Sequence, residues 1–227
     1  MHAGNGSGVM HLMFHLSDIS KSYGPLFAVA HTTLDIPAGR TTALIGPSGV
    51  GKTTLINMMA GLEKPDEGQI HRGCRISFPL GFMGGVVHKH TAKENSRYIA
   101  RLYGLDPDYI EAFCRWLCGI NEYFDMPIGT YSSGMRSRFT FSLLLALDFD
   151  IYLIDEGMPS TTDAEFNRKA GEILRERLEN TTVIIVSHQP ATLERFAKSA
   201  AVLKDGRIHM FDTLEEAKVL YDYETQG

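Results

Sequence analysis

Three short apolar runs frame this chain: Thr41-Thr42-Ala43-Leu44-Ile45, Ile151-Tyr152-Leu153-Ile154 and Val183-Ile184-Ile185-Val186. Each is too short for a helix and too uniformly apolar for a half-exposed strand, so each predicts a buried strand. Helical spacing follows every one of them. Thr54-Leu55-Ile56-Asn57-Met58-Met59 follows the first, a face of Phe166, Ala170, Ile173, Leu174 and Leu178 follows the second, and a helix from Ala191 follows the third. Strand and helix therefore alternate, as in an α/β fold with a mostly parallel sheet and flanking helices.

Two regions break that alternation. Before the first buried run, loosely alternating strands are separated by turns at Tyr23-Gly24-Pro25 and Pro37-Ala38-Gly39-Arg40, which predicts an antiparallel β subdomain beside the core. Between the first two runs, residues from about 76 to 85 predict a strand entering a Gly-rich loop, and the chain is then helical to about 147. This block, about 88–147, reads as an inserted α-helical subdomain. Its first helix opens on the capping box Thr91-Ala92-Lys93-Glu94 and its second on Asp106-Pro107. Tyr109, Phe113, Trp116 and Ile120 recur at helical spacing and predict a core-facing stripe. The end predicts a hairpin around Asp205-Gly206 and a short helix opened by Thr213-Leu214-Glu215-Glu216.

Composition narrows the function classes. With 227 residues and 44% apolar positions the chain has material for a sizeable core, organised as a flexible tail over 1–9 and a single domain over 10–227. A formal net charge of −5 gives no basic footprint for nucleic acid or anionic lipid. Cys74, Cys114 and Cys118 form no metal-ligand spacing and suit a reducing cytosol, the latter two as core thiols on one helix face. No apolar run approaches the 18 or so residues of a membrane span, and the Gly/Ser/Asn-rich opening is unlike a signal peptide.

The candidate chemistry sits where the buried runs end. Gly46-Pro47-Ser48-Gly49-Val50-Gly51-Lys52-Thr53 fits G-x-x-x-x-G-K-[ST] between a strand and a helix that begins near Thr54. Glycines let successive N–H groups face phosphate oxygens, Lys52 neutralises their charge, and the hydroxyl of Thr53 suits Mg²⁺. The second run closes on Asp155-Glu156, two carboxylates able to divide the work: Asp155 for Mg²⁺, Glu156 to polarise water. The third leads to Ser187-His188, which by itself is an ordinary polar strand end.

Taken in this order with Tyr131-Ser132-Ser133-Gly134-Met135-Arg136-Ser137-Arg138, these motifs resemble those of the ABC ATPases. The 131–138 run resembles that family's signature, normally Leu-Ser-Gly-Gly-Gln, with Tyr131 for Leu, Ser133 for the first Gly and Met135 for Gln. By itself it is a helix start capped by Ser132 or Ser133. The resemblance covers nearly the whole chain. It implies that two copies sandwich two ATP molecules, each held by Lys52 and Thr53 of one copy and by Ser132, Ser133 and Gly134 of the other. His188 matches the family's switch histidine that reaches the γ-phosphate, with a satisfied core or surface histidine as the alternative, and Tyr23 matches the adenine-stacking aromatic, with an ordinary turn tyrosine as the alternative. Asp163 matches the aspartate at the dimer seam, or is simply a helix-start residue.

One departure is plain: no glutamine occurs between Gln69 and Gln189, so the glutamine that ABC ATPases carry in the loop before the helical insert is missing. That loop offers His88 and His90 instead. The signature variant, the 123–128 run before it, Gly81 to Gly85, Thr91 to Asn95 and Ala100-Arg101-Leu102-Tyr103 resemble the ATPases that export bacterial capsular polysaccharide. The resemblance implies a peripheral ATPase on the cytoplasmic face of the inner membrane, with ATP and Mg²⁺ as cofactors and a separate membrane permease as partner. Cargo is then an indirect partner, and nucleic acid none. The alternatives are an exporter of the O-antigen or teichoic acid type, a non-hydrolysing regulatory subunit, and a non-transport ABC protein.

Overall fold

The computed structural model describes residues 14–79, 86–155, 163–179, 181–187 and 190–220. The chain opens with the strands β1 (Phe14–Tyr23) and β2 (Leu26–Asp35), followed by β3 (Thr41–Ile45), helix α1 (Lys52–Ala60) and β4 (Glu67–Arg72). Three helices come next: α2 (Ala92–Leu102), α3 (Pro107–Cys118) and α4 (Ser133–Ala146). The second half alternates β5 (Ile151–Asp155), α5 (Ala164–Glu179), β6 (Thr182–Val186) and α6 (Pro190–Phe196), then closes with β7 (Ser199–Lys204), β8 (Arg207–Phe211) and α7 (Leu214–Leu220).

The three apolar runs lie in one sheet of order β5-β6-β3-β7-β8, parallel except for the β7–β8 hairpin. Strand alternation divides its two faces cleanly. Ala43, Ile45, Tyr152, Ile154, Val183 and Ile185 join the core with α3, α4 and α5, whereas Leu44, Leu153, Ile184 and Val186 join the core with Leu55, Ile56, Met58 and Met59 of α1. The α1 core also takes in Phe14, Leu16, Ile19 and Val29, so α1 links the main sheet to a second, antiparallel sheet of order β2-β1-β4. This is an α/β fold with a mostly parallel sheet, an antiparallel β subdomain and a block of helices between α1 and β5.

Four local expectations need correction or extension. The strand expected from residue 76 is a single parallel bridge from Ile76 to Ile151, because Ser77 replaces the ladder: its N–H donates to the Ile151 carbonyl, 2.9 Å, and its hydroxyl accepts the Leu153 N–H, 2.8 Å. Residues 80–85 of the Gly-rich loop, and the tail 1–9, lie outside the described residues. β4 was not anticipated, since Glu67-Gly68-Gln69-Ile70-His71-Arg72 has no apolar alternation; its pairing with β1 supplies the stability. The stripe expected to face the core on α3 does so only in part: Ile120 is buried and Phe113 packs half-buried against the core. Tyr109 and Trp116 are 58% and 53% exposed, and the buried face is Ile110, Cys114, Leu117 and Cys118, one residue round the helix. Small thiols there let α3 lie close against its neighbours, and the bulky rings are left on the outer side.

The caps read from the sequence hold. Thr91 and Glu94 complete their capping box, Asp106 accepts the Asp108 N–H at 2.9 Å ahead of Pro107, and Thr213 accepts the Glu216 N–H at 3.2 Å. Among the described residues no helix is long and apolar enough to cross a membrane.

Candidate nucleotide-binding site

The 46–53 loop is wedged between two strands. A Cβ on Gly46 would lie 2.4 Å from the Leu203 carbonyl oxygen of β7. A Cβ on Gly51, which has φ of +111°, would lie 2.8 Å from the Ala28 carbonyl oxygen of β2. Only glycine lets the backbone pass these points. The loop delivers the chain into α1, whose first turn carries no side-chain cap, so its leading N–H groups and the positive end of its dipole are available to an anion. Lys52 is only 9% exposed, and its Nζ donates to the Gly46 and Pro47 carbonyls at 2.8 and 2.9 Å, which fixes the ammonium over the loop. Pro47, Ser48, Gly49 and Val50 complete the turn, with the Val50 N–H donating to the Pro47 carbonyl, and Thr54 continues the helix behind Thr53.

Thr53 and Asp155 stand 102 residues apart in sequence and meet here, with Thr53 Oγ1 donating to Asp155 Oδ2 at 3.0 Å. A hydroxyl and a carboxylate oxygen beside a phosphate-binding loop form the hard-oxygen donor set that Mg²⁺ takes together with phosphate oxygens. The residues therefore fit the metal read from the sequence. Asp155 pairs with Val186 at the carboxyl ends of adjacent parallel strands, where open α/β sheets place their ligands. Glu156 and His188, which follow these strand ends in sequence, lie outside the described residues.

Tyr23 ends β1 opposite Leu26 of β2, and both are exposed, at 54% and 73%. Ala28, two residues further along β2, is the residue that crowds Gly51. The Tyr23 ring stands exposed at the end of β1, paired with the strand that carries Ala28. Its hydroxyl donates to Glu63 Oε1 at 2.5 Å, and Lys21 Nζ lies 5.7 Å from the ring centroid while bonding Asp66 Oδ1 at 2.8 Å. These acidic and basic neighbours were not anticipated from the sequence, because they reach Tyr23 from β1 and from the loop after α1.

Ser132 is the N-cap of α4, its Oγ accepting the Met135 N–H at 3.2 Å, and Ser132, Ser133 and Gly134 are all exposed. The helix start thus presents small residues and free-facing N–H groups at the surface. Arg138, one helical turn on, donates to Asp163 Oδ2 at 2.5 Å, while Asp163 Oδ1 accepts the Phe166 N–H at 2.9 Å. Asp163 is therefore the N-cap of α5 and also ties α5 to α4. The Arg138 role escaped the sequence reading; the basic residue in the second turn of a helix was its only trace. His88 and His90 are exposed and engage through their backbone carbonyls, which accept N–H groups from Gly129 and Ile128 at 2.8 and 2.9 Å.

The sequence profile of the ABC transporter family matches residues 29–158. The chain is 35% identical over 218 residues to the ATP-binding protein BexA of Haemophilus influenzae, covering 94% of this chain and 100% of that protein. It is 37% identical over 202 residues to the polysialic acid transport ATP-binding protein KpsT of Escherichia coli, covering 86% of this chain and 90% of that one. Among solved structures, an ATP-binding subunit of an ABC transporter superposes with a TM-score of 0.77 at 22% identity, over 95% of both chains.

Proposed function

The chain belongs to the ABC transporter family, and from that premise we propose that it is the ATP-hydrolysing subunit of an exporter that moves capsular or related surface polysaccharide across the inner membrane with a separate permease. The observation that carries the nucleotide chemistry is the meeting of Thr53 and Asp155 beside a nearly buried Lys52. The glycan class rests on relatives whose names describe polysialic acid transport, matched over nearly their whole length.

In this reading the α1 N–H groups and Lys52 hold the β- and γ-phosphates, and Tyr23 stacks on the base. Thr53 and Asp155 would hold Mg²⁺, which would supply positive charge against the phosphates. Glu156 polarises the attacking water and His188 senses the γ-phosphate. Ser132, Ser133 and Gly134 of a second copy close over the same ATP, so closure needs nucleotide and hydrolysis reopens the pair. The subunit is peripheral to the membrane and meets the permease through its helical block.

The test is Mg-ATP turnover and self-association of the purified chain beside Glu156→Gln and Lys52→Ala. Glu156→Gln is expected to lose turnover by at least ~100-fold, the scale of removing an essential catalytic group, and to form a stable dimer only with ATP. Lys52→Ala is expected to lose nucleotide binding itself. The absent loop glutamine favours one second reading, a subunit that binds ATP without turning it over. A parent protein that binds ATP yet shows no turnover even with its permease would select that reading. Genes for a permease and glycan synthesis beside this one would separate both from a non-transport ABC protein.

A further inference from the structure

The residue before Ser132 is buried and unusually connected. Tyr131 is 3% exposed, and its hydroxyl donates to the Tyr123 carbonyl at 2.6 Å, with the Ala92 backbone N–H facing the same oxygen. Ala92 is the first residue of α2, so the phenol joins the start of α2 to the turn that carries Tyr123. The Tyr131 carbonyl in turn accepts Arg136 Nη1 at 2.8 Å, which fixes the other side of the residue to the first turns of α4.

The segments that Tyr131 joins are already stitched together. Buried Asn95 of α2 accepts the Val87 N–H at 2.8 Å and donates to the Val87 and Thr91 carbonyls at 3.1 and 2.9 Å, so residues 87–91 form a strap held on the helix. That strap pairs with the approach to α4: Gly129 donates to the His88 carbonyl, Ile128 donates to the His90 carbonyl, and Thr91 bridges to Pro127. A Cβ on Gly129 would stand 3.3 Å from the His88 carbonyl oxygen, so the two segments lie in close contact. The backbone pairing ends at Pro127, Ile128 and Gly129. Past it, Thr130 Oγ1 donates back to the Pro127 carbonyl of its own turn, and the Tyr131 hydroxyl ties the segment to the Tyr123 turn. A leucine here would fill the space without making that link.

We propose that Tyr131 is a positioning residue, whose hydroxyl locks the exposed helix start at Ser132, Ser133 and Gly134 to the Tyr123 turn and to the start of α2 at Ala92, where the 87–91 strap ends, so that a displacement of the strap and of the α2 start moves the ATP-facing surface with it. The proposal rests on the reading that this helix start closes over the ATP of a second copy. Tyr131 touches no nucleotide of its own copy. Its loss therefore leaves nucleotide affinity alone and weakens closure.

The experiment uses the full chain with Tyr131→Phe, which keeps the ring and removes the hydroxyl, and Gly129→Ala, which crowds the strap from the other side. Both are expected to bind ATP within 2-fold of the parent and to keep KM, while kcat falls 5-fold or more. In a Glu156→Gln background both are expected to need at least 5-fold more ATP for half-maximal dimerisation. A residue that only supported folding would lower nucleotide binding, thermal stability and kcat together, and that pattern would overturn the proposal. Unchanged kcat and unchanged dimerisation would overturn it as well. If Glu156→Gln alone fails to dimerise with ATP, the closure reading falls and takes the proposal with it; if that control dimerises and Tyr131→Phe behaves identically, only the proposal falls.

Discussion

Lys52 is a lysine at only 9% exposure, and the hydrogen bonds from its Nζ to two carbonyls of its own loop help offset that burial. Both its presence and its setting were readable from the glycine spacing, as were Thr53 and Asp155, because a phosphate loop and a carboxylate-ended strand are local patterns. The partners of Tyr23 were not readable: Glu63 lies 40 residues away, and only the pairing of β1 with β2 and β4 brings the two together. Burial also acts on residues with no part in the site. It pushes the Cys118 thiol from about 9 up to about 11 and Cys114 well above its ordinary value. A thiol with a raised folded-state pKa favours the protonated fold, so its stabilisation is complete below about pH 9 and is lost as pH climbs toward 11. For Cys118 the stability lost across that window is on the order of a few kcal/mol. Urea unfolding at pH 8 and near pH 11 checks this: Cys118→Ala is expected to be less stable at pH 8 but to lose less stability on the way to pH 11. Equal losses in parent and variant would show that the thiol does not titrate with unfolding.

Elements meet in this chain through caps that serve two neighbours. Asp163 caps α5 with one carboxylate oxygen and holds Arg138 of α4 with the other, so a helix-start residue is also the joint between the helical block and the α/β core. The sequence offered both readings of Asp163, and its cap role follows from its place three residues before Phe166; its bond to α4 depends on how α4 lies against α5. Losing an aspartate cap costs ~1 kcal/mol, and a partly exposed ion pair adds a few tenths to 1 kcal/mol. Asp163→Ala is therefore expected to cost about 1–2 kcal/mol by chemical denaturation. Asp163→Asn, which keeps an oxygen for the Phe166 N–H, is expected to recover about half of that. A double-mutant cycle with Arg138→Met isolates the pair, and a coupling of zero would mean the ion pair contributes nothing to the joint.

At the scale of the whole molecule, the order of motifs and the buried strands were legible because β3, β5 and β6 each put apolar residues on both faces: Ala43, Leu44 and Ile45, then Tyr152, Leu153 and Ile154, then Val183, Ile184 and Ile185. What was hidden depended on which side of an element its neighbours take. β4 is polar and owes its place to β1, the 76–79 segment owes its place to β5, and α3 turns the expected thiols Cys114 and Cys118 inward but leaves outside the Tyr109 and Trp116 rings that were expected in the core. The misread face of α3 now has a use. Trp116 is the chain's single tryptophan, and Lys169 of α5 places its Nζ 5.4 Å from the indole centroid, with Phe113 edge-on at 5.8 Å. The lysine comes from the α/β core and the ring from the helical block, so the contact spans the joint that Asp163 and Arg138 also span. If ATP closes two copies by turning the helical block against the core, the ammonium moves relative to the ring, and indole emission responds to a nearby charge. Mg-ATP is expected to change Trp116 emission in Glu156→Gln at the same ATP concentration that drives dimerisation, and to leave Lys52→Ala unchanged. Emission that stays constant while dimers form would mean the two blocks move as one body, and closure would then have to come from the docking of rigid copies.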